Sequence, residues 1–108
     1  MVKALDKESF SEAILAMEKP AVVNFSTAWC PYCKLLAPIL EEVAAEHANE
    51  IDVYYVDIDD FEEIGDRYDV MTVPSVFVFQ NGEVKRSAVN PRNKKAVLDL
   101  IFNRADTV

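Results

Sequence analysis

The chain has 108 residues, of which 51% are hydrophobic and 28% are charged, with two glycines and five prolines. These proportions are typical of one globular domain, here over residues 1–108, and exclude disordered and collagen-like chains. The formal net charge of −8 argues against a nucleic acid or an anionic membrane as partner, because both repel an acidic protein.

The chain has no uncharged stretch of membrane-spanning length, since the longest ones cover residues 20–33 and 70–82. Near the start, Lys3, Lys7 and Glu8 stand where a secretory signal needs its apolar core. We therefore expect a cytoplasmic protein, and we expect it to be a monomer.

The first predicted elements are a helix and a strand. Ser9 and Glu12 have the spacing of a capping box, and apolar residues at helical intervals predict a helix over residues 10–18, which Pro20 ends. The apolar, β-branched run at residues 21–26 then predicts a strand that is covered on both faces.

A long helix and a second strand and helix follow. Apolar residues at helical spacing predict a helix over residues 32–48, with a kink at Pro38, where the proline ring removes a backbone donor. Residues 51–58 predict a strand, and residues 60–68 a short helix.

The last third of the chain predicts a hairpin and a final helix. Strands at residues 76–79 and 83–87 flank Asn81-Gly82, the favoured two-residue turn, and an amphipathic helix covers residues 93–102. The order of elements predicts an α/β fold, with a central mixed sheet of four to five strands flanked by helices on both faces.

Cys30 and Cys33 stand two residues apart at the predicted start of the long helix. A helix N-terminus stabilises a thiolate, which is the nucleophile of disulfide exchange, and Lys34 adds a positive charge nearby. Cys33, one turn further on, can reach back and resolve a mixed disulfide formed at Cys30. The pair therefore predicts a two-step thiol–disulfide exchange.

The alternatives for this pair are half of a zinc site or two incidental core thiols. A structural zinc site needs four ligands, and besides the cysteines the chain offers only His47 as a soft or borderline candidate. We expect His47 to be a solvated surface side chain, and we expect the protein to need neither a metal nor another cofactor.

Pro74 stands directly before a predicted strand, in the run Met71-Thr72-Val73-Pro74-Ser75. A proline at a strand start is ordinary structure, because it has no N–H to give to the sheet. A cis bond before Pro74 is the functional alternative, and both remain open from the residues alone.

Taken together, these residues resemble the thioredoxin family over residues 2–103. The matching features, in chain order, are Trp29-Cys30-x-x-Cys33-Lys34, Ala37-Pro38, Val56-x-Ile58-Asp59, Val73-Pro74 and Asn81-Gly82-Glu83. The resemblance implies a thioredoxin fold and an enzyme that reduces disulfide-containing proteins.

The resemblance also implies roles for individual residues. Cys30 would be the nucleophile, Cys33 the resolving cysteine, and Pro74 a cis-proline packed beside them. The backbone of Val73 would bind an extended substrate segment, and Trp29 would form part of an apolar rim.

One departure from the family concerns the electron donor. Pro31-Tyr32 between the cysteines is typical of glutaredoxins, whereas thioredoxins usually carry Gly-Pro. The Gly-Gly pair that helps glutaredoxins to hold glutathione has no counterpart after Gly82. We therefore expect a thioredoxin-reductase-like enzyme as donor, with glutathione as the second candidate.

Two further departures lie around the cysteines. Asn24 stands where thioredoxins carry a buried aspartate that is thought to take the resolving cysteine's proton, and Tyr55 replaces the accompanying lysine. Without that carboxylate, we expect Cys33 to lose its proton through water, and Asn24 is either a plain hydrogen-bonded core amide or a residue with an active tuning role. Asn90 replaces a glycine beside the site, and asparagine tolerates a left-handed backbone.

Three other functions stay open at this point. A glutaredoxin-like, glutathione-linked disulfide reductase is the nearest alternative, because of the Cys-Pro-Tyr-Cys sequence. A docking scaffold without redox activity, or a metal carrier that bridges two chains through their cysteines, would be a protein of another class.

Overall fold

The computed structural model describes residues 2–15 and 18–103. In that part of the chain, none of the helices has the length and hydropathy that a membrane span requires. The elements in chain order are β1 (Lys3–Ala4), α1 (Lys7–Ile14), β2 (Ala21–Ser26), α2 (Pro31–Glu46), β3 (Asp52–Asp57), α3 (Glu62–Arg67), β4 (Ser75–Gln80), β5 (Glu83–Val89) and α4 (Lys94–Phe102).

The strands form one five-stranded mixed sheet in the order β1-β3-β2-β4-β5. β2 is parallel to β3 and antiparallel to β4, while β5 is antiparallel to β4. All of β2 is buried, as its unbroken apolar run predicts for a central strand. The predicted mixed sheet is confirmed.

Hydrophobic cores cover both faces of the sheet. Val22 packs in a core with Leu36 of α2 and Val97 of α4, whereas its neighbour Val23 packs in another with Phe10 of α1. Successive strand residues point to opposite faces, so a continuous apolar strand supplies both cores. The prediction of helices on both faces is confirmed.

The hairpin and the final helix agree with their predictions. Asn81 and Gly82 both have positive φ, at 55° and 82°, as a two-residue turn between twisted strands requires. The side chain of Asn93 accepts a hydrogen bond from the N–H of Ala96 and caps α4.

The prediction for the first helix is wrong at its start. Asp6 is the N-cap: its carboxylate accepts from the N–H groups of Glu8 and Ser9, and the Ser9 hydroxyl accepts from the N–H of Asp6. Asp6 and Ser9 therefore form the capping box that the sequence placed at Ser9 and Glu12. The predicted end reaches into residues 16 and 17, which lie outside the described residues.

Two other features differ from expectation. β1 was not predicted, because two exposed residues carry no periodicity. His47 is not a solvated side chain: it is 19% exposed, and its ring centroid lies 4.9 Å from that of Phe102. α2 contains Pro38, and a kink at that residue stays a prediction.

Candidate active site

The two cysteines lie at the N-terminus of α2, just beyond the end of the central strand β2. Cys30 is the N-cap of the helix and Cys33 lies in its first turn; both are free thiols and each is only 4% exposed. The Cys30 Sγ accepts a hydrogen bond from the backbone N–H of Cys33 at 3.2 Å. The first turn of the helix therefore directs the N–H of Cys33 at the Cys30 sulfur, while the N–H of Lys34 donates to the Cys30 carbonyl oxygen.

The environment of Cys33 favours its protonated form. Burial, above all, raises the pKa of the Cys33 thiol, and its contact with Cys30 adds to the rise. The Ser26 hydroxyl and the Thr27 backbone act in the opposite direction. The two cysteines are thus equally buried but have different partners: the Cys33 N–H faces the Cys30 sulfur, whereas the Ser26 hydroxyl and the Thr27 backbone face the Cys33 sulfur.

The loop before β4 contacts the cysteine pair. The Val73-Pro74 peptide is cis and Pro74 is buried. The Cys30 thiol lies 3.8 Å from the carbonyl oxygen of Val73, to which it donates. The structure thus has the cis alternative that the residues alone left open, and it places Val73 and Pro74 beside the nucleophile predicted by the resemblance.

Asn90 connects the end of β5 to the same loop. Its N–H donates to the carbonyl oxygen of Pro74 at 2.8 Å, and its φ of 47° lies in the left-handed region. Asparagine occupies this region at lower cost than most residues other than glycine. The left-handed backbone conformation is therefore present at this position, and the residue that adopts it has a polar side chain.

Exposed apolar side chains surround the buried sulfurs. Trp29 is 67% exposed, Tyr32 60% and Met71 92%. The Trp29 Nε1–H donates to the Asp59 carboxylate at 2.8 Å, which holds the indole over the end of β3. The rim expected at Trp29 therefore extends to Tyr32 and Met71, and the sequence matched Asp59 to the family without assigning it this contact.

A shallow depression adjoins this rim on the Tyr32 side. It has a volume of about 200 Å³ and is lined by Tyr32, Leu35, Asn90, Pro91 and Arg92. Sequence reasoning missed Leu35, Pro91 and Arg92, because they come from a helix and a loop that only the fold brings together.

Asn24 and Tyr55 are paired across β2 and β3, as the joint replacement of the family's charged pair implies. Asn24 is 3% exposed, and its Oδ1 has no hydrogen-bond partner among the described residues. The interpretation as a hydrogen-bonded core amide therefore does not hold for this oxygen. Asn24 and Tyr55 line a cavity of about 220 Å³ that also touches Ala37 and Glu41 of α2.

A metal site built on the cysteine pair lacks a third ligand in the described residues, which hold no group of three or more His, Cys, Asp or Glu suited to an ion. His47 caps the C-terminus of α2, whereas Cys30 caps its N-terminus. Sixteen helical residues separate them, a length of about 24 Å. His47 and the cysteines therefore cannot share an ion within one chain.

Comparison with known proteins gives a consistent family. A family model described as Thioredoxin matches residues 1–103. Thioredoxin of Rickettsia bellii is 32% identical over 103 residues, which are 95% of this chain and 98% of that protein. Thioredoxin M-type, chloroplastic, of Spinacia oleracea is 35% identical over 100 residues, 93% of this chain and 55% of that protein.

A third relative is larger than this chain. The bifunctional thioredoxin reductase/thioredoxin of Mycobacterium leprae is 36% identical over 90 residues, which are 83% of this chain and 20% of that protein. The similarity therefore covers one part of a longer protein in this case.

Proposed function

The chain belongs to the thioredoxin family and is a dithiol–disulfide oxidoreductase, and we propose that it reduces disulfides in other proteins with Cys30 as nucleophile and Cys33 as resolving cysteine. The observation that carries this assignment is the hydrogen bond from the Cys33 N–H to the Cys30 Sγ. It sets the sulfur of Cys30 at the N-terminus of α2, in contact with the residue that resolves the mixed disulfide.

The reaction proceeds in two exchanges. The Cys30 thiolate attacks one sulfur of the target disulfide, and the other target sulfur leaves as a thiolate that takes up a proton. Cys33 then loses its proton and attacks the Cys30 sulfur, so the second target sulfur leaves in turn. Two electrons pass to the target, and a Cys30–Cys33 disulfide remains.

The neighbouring residues position the target. An extended segment would bind the backbone of Val73 and rest on Pro74, with Trp29 and Asn90 at its sides. The contact of the Cys30 thiol with the Val73 carbonyl supports this placement, because a bound segment then passes within reach of the sulfur. Four residues around the pair would tune its reactivity, namely Asn24, Pro31, Tyr32 and Lys34.

A trapping experiment tests the two cysteine roles. Cys33→Ser should accumulate mixed disulfides with target proteins, because nothing resolves the bond formed at Cys30. Cys30→Ser is the matched control and should form none. Equal trapping by both variants would contradict the assignment of the nucleophile.

We propose a thioredoxin-reductase-like enzyme as the electron donor. The Mycobacterium leprae relative is named as a bifunctional thioredoxin reductase/thioredoxin, which supports a donor of this kind. Glutathione is the second candidate, favoured by the glutaredoxin-type Pro31-Tyr32 pair at the start of α2. An NADPH-coupled assay that compares thioredoxin reductase with glutathione plus glutathione reductase, on one protein disulfide, decides between them.

A cytoplasmic, monomeric protein is part of the same proposal. A reductant of disulfides needs a compartment that keeps thiols reduced, as the cytoplasm does. Cell fractionation tests the location, and light scattering of the purified chain tests the oligomeric state.

The two alternatives of another class give different results. A scaffold role would leave biological activity intact in a double Cys→Ser variant, and a metal carrier would copurify with half a mole of metal per chain.

A further inference from the structure

We propose that the depression formed by Tyr32, Leu35, Asn90, Pro91 and Arg92 is a specificity subsite, which binds a carboxylate side chain of the target protein close to its disulfide. This inference rests on the proposed function and names the class of target that the same site prefers. Arg92 supplies the charge that selects the carboxylate.

The depression is continuous with the redox site. Tyr32 stands between the two cysteines, and Asn90 donates to the carbonyl oxygen of Pro74. Cys30 in turn lies 3.8 Å from the Val73 carbonyl oxygen. A target segment whose sulfur reaches Cys30 therefore has its flanking residues beside Tyr32 and Asn90.

The lining combines apolar surface with one cation. Tyr32 and Leu35 are 60% and 67% exposed, which is a large apolar area for side chains on a helix surface. Arg92 is exposed and makes no hydrogen bond or ion pair with any described residue. By contrast, Lys94, two residues later, is paired with Glu42 and Glu46 of α2.

Apart from Lys34, which follows Cys33 in the chain, the charges near the cysteines differ between two hollows. Beyond Trp29, the surface carries Asp59, Glu62 and Asp66, which line one common hollow. On the Tyr32 side, the depression contains only Arg92 as a charged residue. In a chain of net charge −8, this cation favours an acidic group on one side of the target disulfide, and the acidic hollow disfavours it on the other.

The size of the depression indicates a side chain as occupant. Its volume of about 200 Å³ lies below the roughly 300 to 1,000 Å³ of pockets that bind drug-sized ligands, so its size favours a single side chain. The planar guanidinium of Arg92 matches a carboxylate with two parallel hydrogen bonds, and the apolar lining fits the methylene groups of a glutamate or aspartate.

Fluorogenic disulfide peptides test this subsite. One set of peptides carries Glu, Gln or Lys directly before the disulfide cysteine, and a second set carries the same three residues directly after it. The peptides are otherwise identical. At one position, the wild-type chain should reduce the Glu peptide about two- to fivefold faster, in kcat/KM, than the Lys peptide. The preference should shrink at about 1 M salt, where charge interactions between exposed groups are screened.

Charge variants identify the residue responsible. Arg92→Gln should remove the preference and Arg92→Glu should reverse it in favour of the Lys peptide. Lys85→Glu makes the same charge change at the opposite end of β5 and should leave the preference unchanged. A preference that survives Arg92→Glu, or that Lys85→Glu alters equally, overturns the subsite, as does equal reduction of every peptide.

The two proposals fail in different ways. If the wild-type chain reduces none of the peptides and no other protein disulfide, the proposed function is wrong. If it reduces all of them at one rate, the function stands and the carboxylate subsite is wrong.

Discussion

The Sγ of Cys30 accepts a hydrogen bond from the backbone N–H of Cys33 at 3.2 Å, so the resolving residue is already in contact with the nucleophile in the dithiol state. Resolution is therefore intramolecular, and it needs no diffusion of a second thiol to the mixed disulfide. Burial, and to a lesser extent the contact with Cys30, raises the pKa of the Cys33 thiol.

The raised pKa of Cys33 predicts a loss of stability at alkaline pH. The folded dithiol chain holds the Cys33 proton to a higher pH than the unfolded chain does. The contribution of this thiol to the free energy of unfolding is therefore fully present below the unfolded thiol pKa of about 8.5. Above that pH, unfolding releases a proton and becomes more favourable up to the folded pKa.

Urea unfolding under reducing conditions at pH 7, 9 and 10 measures this effect. Tyr54 and Tyr55 also have pKa values raised mainly by burial, and both lower the stability at alkaline pH in the same direction. Cys33→Ser is the control because it retains both tyrosines and removes only the Cys33 thiol, including its smaller effect on Tyr55. The wild-type free energy of unfolding should fall more steeply than that of Cys33→Ser. Parallel curves would contradict the prediction.

Asn24→Asp should destabilise the protein and speed the resolving step. The new carboxylate would be buried beside Tyr55, in a cavity that already includes Glu41, so we expect a cost of about 1 to 3 kcal/mol. In return, a carboxylate can accept the Cys33 proton, for a gain of up to about 100-fold.

Stopped-flow single-turnover reduction at neutral pH measures how fast the reduced target is released after the mixed disulfide has formed. Asn24→Leu has a similar size and no proton acceptor, and it should show no gain. The idea fails if Asn24→Asp releases its target no faster than the wild-type chain.

Replacing Pro31-Tyr32 by Gly-Pro should make the couple more reducing. These residues open α2 directly after the Cys30 N-cap, so they set the surroundings of its sulfur. Thioredoxins and glutaredoxins differ by about 40 to 70 mV, and we expect a shift of that order. The measurement is to equilibrate both chains in glutathione buffers and to determine the fraction of each chain that is in the dithiol form. Equal reduction potentials for the two chains would contradict the prediction.

Asn90→Ala should lower stability by about 1 kcal/mol, because alanine is strained at a φ of 47°. Asn90→Gly is the matched variant: it removes the side chain without strain and should stay within about 0.5 kcal/mol of the wild-type chain. Urea midpoints give both values. Equal losses in the two variants would mean that the Asn90 side chain, and not its backbone, supports the fold.

The parts of the fold that the sequence predicted well have local causes. The unbroken apolar run of β2, the Asn81-Gly82 turn and the periodicity of α4 each restrict the backbone within a few residues. The start of α1 was ambiguous, because Asp6 and Ser9 have the same spacing as Ser9 and Glu12. The fold selects Asp6, since the Leu5 N–H donates to the Tyr55 carbonyl oxygen and keeps the preceding residue extended.

For the active site, the sequence by itself predicted the reacting groups: two thiols one turn apart at a helix start have the spacing that disulfide exchange requires. The tertiary structure decided what lies around those thiols. Val73 is 43 residues from Cys30, and Asn90 and Arg92 follow the end of β5, so only sheet pairing brings them to the same edge of the sheet as the cysteines. Burial and charge depend on contacts between distant segments. The raised pKa of the Cys33 thiol and the depression that contains Arg92 are therefore visible only in the folded chain.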